Sequence, residues 1–283
     1  MILITGGTGT SGQPIVQALL DRGERVRALS RDPEKAAKTL GDDIELARGD
    51  FSDPASLEAA MEDVDRAMLI VASLPDQPAM ESAFIDAAKR SGVEHIVKFS
   101  AVGADPNSPM RFMRVHGEAE AKLKSSGIAW TMLQPTFFLQ NILGLAHAAK
   151  RGTIHMDAGD GKAPFVDTRD IAAVAAVALT ERGHEGKTYE ITGPSAFGMA
   201  DVAREISAVT GRGVKYENVP PEAAKQALMQ VGVPEWNAAG INELNAALRA
   251  GKMANVTNVV REVGKKEPTT LEQFVREHSR AFV

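Results

Sequence analysis

Four glycines and three threonines crowd into Ile4–Gly12, ITGGTGTSG, between a short apolar run and an amphipathic segment. Gly6, Gly9 and Gly12 form a G-x-x-G-x-x-G loop, and glycine tolerates positive φ while leaving no side chain in the way of an approaching ligand. Such a loop can be a plain structural turn. Where it follows a strand and opens a helix, the exposed N–H groups and the helix dipole suit a dinucleotide pyrophosphate, with Thr10 and Ser11 at the helix start. The position of the loop, at the sixth residue of a strand-loop-helix unit with a second strand behind it, favours the dinucleotide reading.

The second strand ends Ala28, Leu29, Ser30, Arg31. NAD-selective sites place an acidic side chain there, about 20 residues past the loop, to bind the ribose hydroxyls. A carboxylate would repel a 2′-phosphate, whereas Ser30 and Arg31 can donate to one, so NADPH is favoured over NADH. The plainer role for Arg31, beside Asp32, is to solvate the strand end. Asp50 and Phe51, in GDFSD after the third strand, stand where adenine would lie; Asp50 can instead cap the next helix, a task for which Ser52 or Asp53 beside Pro54 is better suited. Ala72 and Ser73 end the fourth strand and are small enough to let a cofactor pass.

The elements that must carry these residues follow from hydrophobic periodicity. Met1–Thr5, Arg25–Leu29, Ile44–Ala47, Ala67–Ala72, His95–Phe99 and Ala129–Leu133 read as strands separated by helical segments. One such segment is Gly12–Arg22, with Ile15, Val16, Leu19 and Leu20 on one face and Gly23 as C-cap. This rhythm predicts an α/β fold, a Rossmann-type doubly wound parallel sheet. Residues 1–135 are expected to form the NADP-binding domain. Residues 136–283 are expected to form a smaller C-terminal α/β lobe that packs on it and returns some segments to its core. In that part, helices are predicted over Phe137–Lys150, Thr168–Thr180, Met199–Thr210, Pro221–Val231, Pro234–Ala250 and Thr269–Arg280, and strands over Phe165–Asp167 and Tyr189–Thr192. A substrate cleft belongs between the two parts.

Composition narrows the chemistry. The 283 residues are 44% hydrophobic, enough for a large core, and 32 Lys plus Arg against 37 Asp plus Glu give a net charge of −5, which disfavours nucleic acid as a partner. With no cysteine there are no disulfides, thiolate nucleophiles, zinc-thiolate sites or iron–sulfur clusters, so redox chemistry must come from a bound organic cofactor. The amino terminus lacks the features of a secretory signal, and the longest wholly apolar run, Ile171–Leu179, is too short to span a bilayer. A cytoplasmic protein without a membrane partner is expected. His147 and His155 lie near the junction of the two parts, but no metal-ligand spacing accompanies them and no metal is expected. Gly103–Pro109, GADPNSP, reads as a flap over the cleft or an ordinary surface loop, and Met110 and Met113 either border the cleft or fill the core.

TGGTGTSG at the start, VKFSAVGA at the fifth strand, HGEAEAKLKSSGIAWTMLQPTFFLQN across the middle and FVDTRDIA later together resemble the NmrA-like atypical short-chain dehydrogenase/reductases, in particular their triphenylmethane reductase and NADPH quinone oxidoreductase-like branch. Asp167, Asp170, Ile171 and Ala172 match the late aspartate and Asp-Ile-Ala helix start of that family. The wider superfamily uses Ser, Tyr and Lys, with the tyrosine as proton donor. Ser100 matches the serine, but Phe112 and His116 stand where tyrosine and lysine would be, Glu120 lies one turn further, and the only tyrosines, Tyr189 and Tyr216, are far downstream. In the quinone reductase-like branch a histidine likewise occupies the lysine position within H-x-x-x-E. The resemblance therefore implies that His116 holds the nicotinamide ribose or a nearby phosphate and relays a proton.

By the same resemblance the loop Gln134–Phe138 wraps the nicotinamide, and Pro135 fixes the exit from the sixth strand. Phe137 and Phe138 can stack on a flat substrate or the cofactor, or fill the core. The quinone reductase-like members carry tyrosine where this chain has Phe138 and retain Asn141, which either donates to a substrate oxygen or caps its neighbours. The missing acid matters, because a plain ketone becomes an alkoxide that needs a donor, whereas a quinone or cationic dye accepts hydride with its charge delocalised. The leading expectation is hydride transfer from NADPH to a planar conjugated acceptor. The alternatives are an NADP(H) sensor that acts on a partner protein without turnover, and a biosynthetic carbonyl or imine reductase with His116 as donor.

Overall fold

Ile2–Ile4 (β1) is buried at every position, as expected of a central parallel strand covered on both faces. A computed structural model describes residues 1–283. From β1 the chain alternates through Gly12–Leu20 (α1), Val26–Ser30 (β2), Pro33–Leu40 (α2), Glu45–Arg48 (β3), Pro54–Ala60 (α3), Arg66–Leu69 (β4), Gln77–Arg90 (α4), His95–Phe99 (β5), Arg111–Ser125 (α5) and Ala129–Pro135 (β6). Asp32 and Asp53 start α2 and α3 by accepting from the first-turn N–H groups, each just ahead of a proline whose missing N–H costs nothing there.

The second part runs through a 3₁₀ turn at Leu139–Leu145, then Ala146–Lys150 (α6), Thr153–Met156 (β7), Thr168–Thr180 (α7), Lys187–Ile191 (β8), Met199–Thr210 (α8), Lys215–Asn218 (β9), Pro221–Gln230 (α9), Glu235–Arg249 (α10), Val259–Glu262 (α11), Leu271–Glu277 (α12) and Ser279–Phe282 (α13). Seven parallel strands form one sheet in the order β3-β2-β1-β4-β5-β6-β8, and β7 pairs with β9 in a small second sheet. The doubly wound Rossmann-type α/β fold is thus present, and its order reverses between β1 and β4. Crossovers leave in opposite directions there, and a crevice opens at the carboxyl ends of the two strands.

One face of the large sheet buries Ile15, Val16 and Leu19 of α1 against Ile171, Ala175 and Leu179 of α7. The other buries Leu57 of α3, Phe84 and Ile85 of α4 and Leu123 of α5. A third core around Ile142, Phe165, Phe197, Ile206 and Phe274 holds the C-terminal lobe together. The chain beyond residue 135 therefore returns α7 and β8 to the main sheet. No helix is long and apolar enough to cross a membrane.

Several local expectations are corrected. Helix α1 ends at Leu20 with Asp21 as its right-handed cap, and Gly23, at φ +76°, instead closes the next turn by donating to the Leu20 carbonyl (2.8 Å). The segment expected as one helix over Phe137–Lys150 begins as the 3₁₀ turn, whose three-residue period stacks the buried Leu139 and Ile142 on one line. Phe165–Asp167 makes only an isolated bridge, Val166 to Phe138, and the helix expected over Thr269–Arg280 is split at His278, whose ring stacks on Phe274 at 4.3 Å. The GADPNSP loop is fastened down rather than free. A Cβ on Gly117 would lie 2.2 Å from the Asp105 backbone, and Asp105 N donates to the Met113 carbonyl (3.1 Å).

His95 illustrates how burial sets a pH limit. Its Nε2 is 2.9 Å from Thr131 Oγ1, which itself donates to the His184 carbonyl (2.6 Å), so the ring proton sits on Nε2 and the buried Nδ1 has no partner. Burial, opposed by Glu185 and assisted by Arg66 and His184, pushes the imidazole down to about 4. The unfolded chain takes up this proton near 6.5 and the folded one does not until about 4, so stability should fall with pH through that window, by up to about 3 kcal/mol from this site. Urea unfolding of His95→Gln and the parent at pH 7 and 4.5 should show a smaller acid loss in the variant; an unchanged loss would remove His95 as its source.

Candidate functional site

The crevice floor is built from the loops after β1 and β4. Gly6, at φ +62°, lies against Ile70, and a Cβ on Gly12 would sit 2.1 Å from the Gly6 carbonyl oxygen, so only glycines let the loop fold this tightly onto the start of α1. Gly9 N donates to the Gly6 carbonyl (3.0 Å), whereas no backbone carbonyl accepts from Thr10, Ser11 or Gly12. Ser11 precedes α1 without capping it, and Pro14 removes one more donor from the first turn. Backbone donors with no carbonyl acceptor at a helix start, around a cradle that side chains would fill, fit a pyrophosphate.

Past the end of β2 the groove is bordered by Ser30, Arg31, Asp32 and Lys35. The Ser30 hydroxyl donates to the Asp32 carbonyl (3.0 Å) and Asp32 caps α2 by accepting from Lys35 N (3.1 Å); Arg31, Lys35 and Arg48, whose guanidinium donates to the Arg31 carbonyl (3.1 Å), are exposed cations at this corner. Across the groove Asp50 accepts from the Ser52 N–H (2.8 Å) and hydroxyl (2.7 Å); these bonds, with help from Arg31, hold its carboxyl below the usual carboxylate range. Phe51 leans on Phe84 at 6.2 Å and lines the same groove with Ala72.

The middle of the cleft brings together Gly9, Gly12, Ser73, Ser100, His116 and Pro135. His116 is 6% exposed, with Nε2 3.2 Å from Ser73 Oγ and Nδ1 3.2 Å from Gln77 Nε2. Burial, reinforced by the Lys98 ammonium, holds its imidazole well below the ordinary histidine value, so it is neutral. Ser100 donates to Glu120 Oε1 (2.6 Å), which also accepts from Gln134 Nε2 (2.7 Å), while Lys124 pairs with the other oxygen (3.0 Å). Glu120 thus organises the wall behind the cleft.

At the far end Phe137, Phe138, Asn141, Met113, Leu244 and Met253 line an uncharged pocket. Phe137 stacks on Phe165 (5.2 Å, 26°) and Phe138 meets Phe99 edge-on (6.0 Å, 77°), so each ring is rooted in the core. Helix α10 forms the opposite wall. Its Glu243 accepts from the Arg111 main chain (2.8 Å) and guanidinium (2.8 Å), and its Trp236 meets Phe112 edge-on at 5.2 Å.

Residues 1–275 match the NmrA-like family. The chain belongs to that family. It is 41% identical to an NAD(P)H azoreductase of Xenophilus azovorans over 283 residues, covering 100% of this chain and 99% of the relative. Its fold superimposes on the NADPH complex of an Escherichia coli NADPH-dependent quinone oxidoreductase with a TM-score of 0.91 at 32% identity, covering 98% and 99% of the two chains. A Citrobacter sp. triphenylmethane reductase complexed with NADP(H) gives 0.89 at 27% identity, with 98% and 99% covered.

In this NmrA-like chain the late aspartates act as staples. Asp167 caps α7 through Arg169 N (2.8 Å) and accepts from Gln140 Nε2 (3.0 Å); Asp170 accepts from Thr269 N (2.7 Å) and pairs with Lys266 (2.6 Å), tying down the C-terminal strap. Residues that sequence reasoning did not single out include Lys35, Leu244 and Met253, and a buried set behind His116. Lys98 and Glu81, both 0% exposed, pair at 2.8 Å, and Gln77 donates from Nε2 to Glu81 Oε1 (3.2 Å). Burial pushes the Glu81 carboxyl up and Lys98 opposes that shift. A lysine inside the strand VKF was the available signal.

Breaking this pair leaves an uncompensated buried charge. Lys98→Met should therefore lower the unfolding free energy by about 3 kcal/mol in urea titration, and Lys98→Met with Glu81→Leu should recover most of it. Equal losses in the single and double variants would show that the pair is not the source.

Proposed function

We propose that this protein is an NADPH-dependent reductase that passes hydride to a planar, conjugated, uncharged acceptor of the quinone or dye type. The observation that carries the reading is one continuous cleft. It runs from the glycine loop and its free N–H groups, past neutral His116, to a pocket of aromatic and aliphatic side chains with only Thr136 and Asn141 as polar neighbours. The named relatives, an azoreductase, a quinone oxidoreductase and a triphenylmethane reductase, support the same class of acceptor.

Bound NADPH supplies the hydride. Gly6, Gly9, Thr10, Ser11 and Gly12 hold the pyrophosphate, with Asp50 and Phe51 beside the adenine. Arg31 carries the selectivity for the 2′-phosphate, supported by the neighbouring Lys35, while the Ser30 hydroxyl, expected as a second donor, is bonded to the Asp32 carbonyl. Ala72, Ser73 and Pro135 leave room where the nicotinamide end must lie. Phe137 and Phe138 orient a flat acceptor, and Asn141 is a donor at its rim. Catalysis then rests on orientation and exclusion of water, because the pocket offers no acid and the reduced acceptor takes its proton from solvent.

Absorbance at the NADPH band, after calorimetry has established binding, tests this directly. Turnover is expected with neutral quinones and conjugated dyes and not with simple ketones; tight NADPH binding with no turnover across the panel would replace the reductase with the sensor. Two further outcomes follow from the charges. Arg31→Ala should weaken NADPH binding roughly tenfold and leave NADH nearly unchanged, and equal losses would remove the 2′-phosphate assignment. Sulfonated acceptors should show a higher KM than their uncharged parents, since the pocket has no cation to receive the sulfonate.

A further inference from the structure

Ser73 and Ser100 both line the cleft beside His116, and the hydrogen-bond network gives their hydroxyl groups opposite states. Ser100 directs its proton into the protein, onto Glu120 (2.6 Å). The state of Ser73 is decided three groups away. Glu81 Oε1 accepts from Lys98 Nζ (2.9 Å) and from Gln77 Nε2 (3.2 Å), and the acceptor oxygen of an ion-paired carboxylate can take only the NH₂ end of an amide. The same NH₂ group therefore faces His116 Nδ1 at 3.2 Å, and Nδ1 must accept. A neutral imidazole that accepts at Nδ1 carries its proton on Nε2, which donates it to Ser73 Oγ at 3.2 Å. Ser73 is left with its own proton for the cleft. Its carbonyl accepts from Asn237 Nδ2 of α10 (2.9 Å), so backbone and side chain are held from opposite walls.

We propose that Lys98, Glu81 and Gln77 are positioning residues that lock His116 in the Nε2–H tautomer, making Ser73 the hydrogen-bond donor to the acceptor atom on which negative charge develops as hydride arrives. The role toward the acceptor rests on the reductase reading; the tautomer does not. The balance would be one C–H bond broken in the reduced cofactor, which is oxidised by two electrons, and one bond to that hydrogen formed on the acceptor, which is reduced by two electrons and takes the proton that completes the product from water. Ser73 and His116 end the step as they began it. The groups facing His116 are Lys98 from β5, Gln77 and behind it Glu81 from α4, and Ser73 from the loop after β4. Glu120, one turn along its own helix, is taken up by Ser100, Gln134 and Lys124.

Nitrogen-15 spectra of histidine-labelled protein, with His116 assigned through His116→Gln, read the tautomer without any cofactor. A single Nε2–H signature that does not titrate between about pH 5.5 and 8 is expected. Gln77→Leu should convert it to a tautomer mixture, and Ser73→Ala should move the Nε2 resonance more than Nδ1. An Nδ1–H signature, or a ring that titrates in that range, overturns the proposal. In turnover, Ser73→Ala should lower kcat roughly 10- to 100-fold, as loss of one preorganised donor does. Its calorimetric Kd for NADPH should change by less than about threefold, and Ser73→Thr should restore most of kcat. Parallel loss of NADPH affinity, or no rescue by threonine in a variant that melts like the parent, overturns the donor role. If the parent protein binds NADPH but reduces nothing in the panel, the reductase reading and the acceptor role of Ser73 fall together, and the nitrogen signature alone decides the tautomer.

Discussion

The cleft depends on two stretches of backbone that meet without side chains at Gly6 and Gly12. A single Cβ on Gly12 would lie 2.1 Å from the Gly6 carbonyl and 2.7 Å from the Gly7 Cα, so no other residue lets α1 begin this close to the end of β1. That closeness brings the helix start to the point where the strand order reverses, and puts its donors over the crevice between β1 and β4. The loop after β4 is anchored to the same place, since Thr5 Oγ1 donates to the Ile70 carbonyl (2.8 Å) and accepts from the Ile70 N–H (2.7 Å). Ala72 and Ser73 are thereby placed one step from the glycine loop. The glycine cradle and the Ser73–His116 pair are consequences of one constraint.

The second constraint is electrostatic. A lysine and a glutamate with no solvent exposure are expensive to bury, and an apolar pair of similar volume would serve stability as well or better. Their use lies in direction. Because Glu81 has an oxygen committed to Lys98 and Gln77, the amide cannot turn, and the imidazole beyond it has only one way to place its proton. The surface-linked staples at Asp167 and Asp170 differ, since their cationic partners Arg169 and Lys266 reach solvent and the carboxylates serve helix capping and strap attachment.

Much of this was legible in the amino-acid order. The strand-loop-helix start, the six strand positions of the first part and helices α7 and α8 followed from periodicity and turn residues; the central strands β1 and β5 are buried at every position, and even the edge strand β3, with no buried residue, is introduced by the buried Ile44. Strands β7 and β9, TIHM and KYEN, left no such trace: each has at most one buried residue, and their pairing is a tertiary event. Gly6, Ser30, Arg31, Asp50 and Phe51 were legible because each sits at or just past a strand end that the fold brings to one edge, whereas Lys35 reaches the same groove from α2. The Lys98, Glu81 and Gln77 chain was not. Gln77 and Glu81 lie four apart on α4 and so share a helix face, but Lys98 comes from β5, and no sequence spacing announces that this helix face meets that strand.

The structure also explains why the chain works without the tyrosine of its superfamily. Phe112, at that position, packs against Trp236 and closely under Gly240, where a Cβ would be 2.5 Å from the ring, so the side chain joins α5 to α10 instead of pointing a hydroxyl at a substrate. The Arg111–Glu243 pair and the Asn237 bond to the Ser73 carbonyl strengthen the same junction. A residue that would have been an acid has become part of the wall. The wall in turn holds the loop carrying Ser73 and contributes Leu244 to the aromatic pocket, so that on the function proposed above this position has exchanged proton donation for positioning.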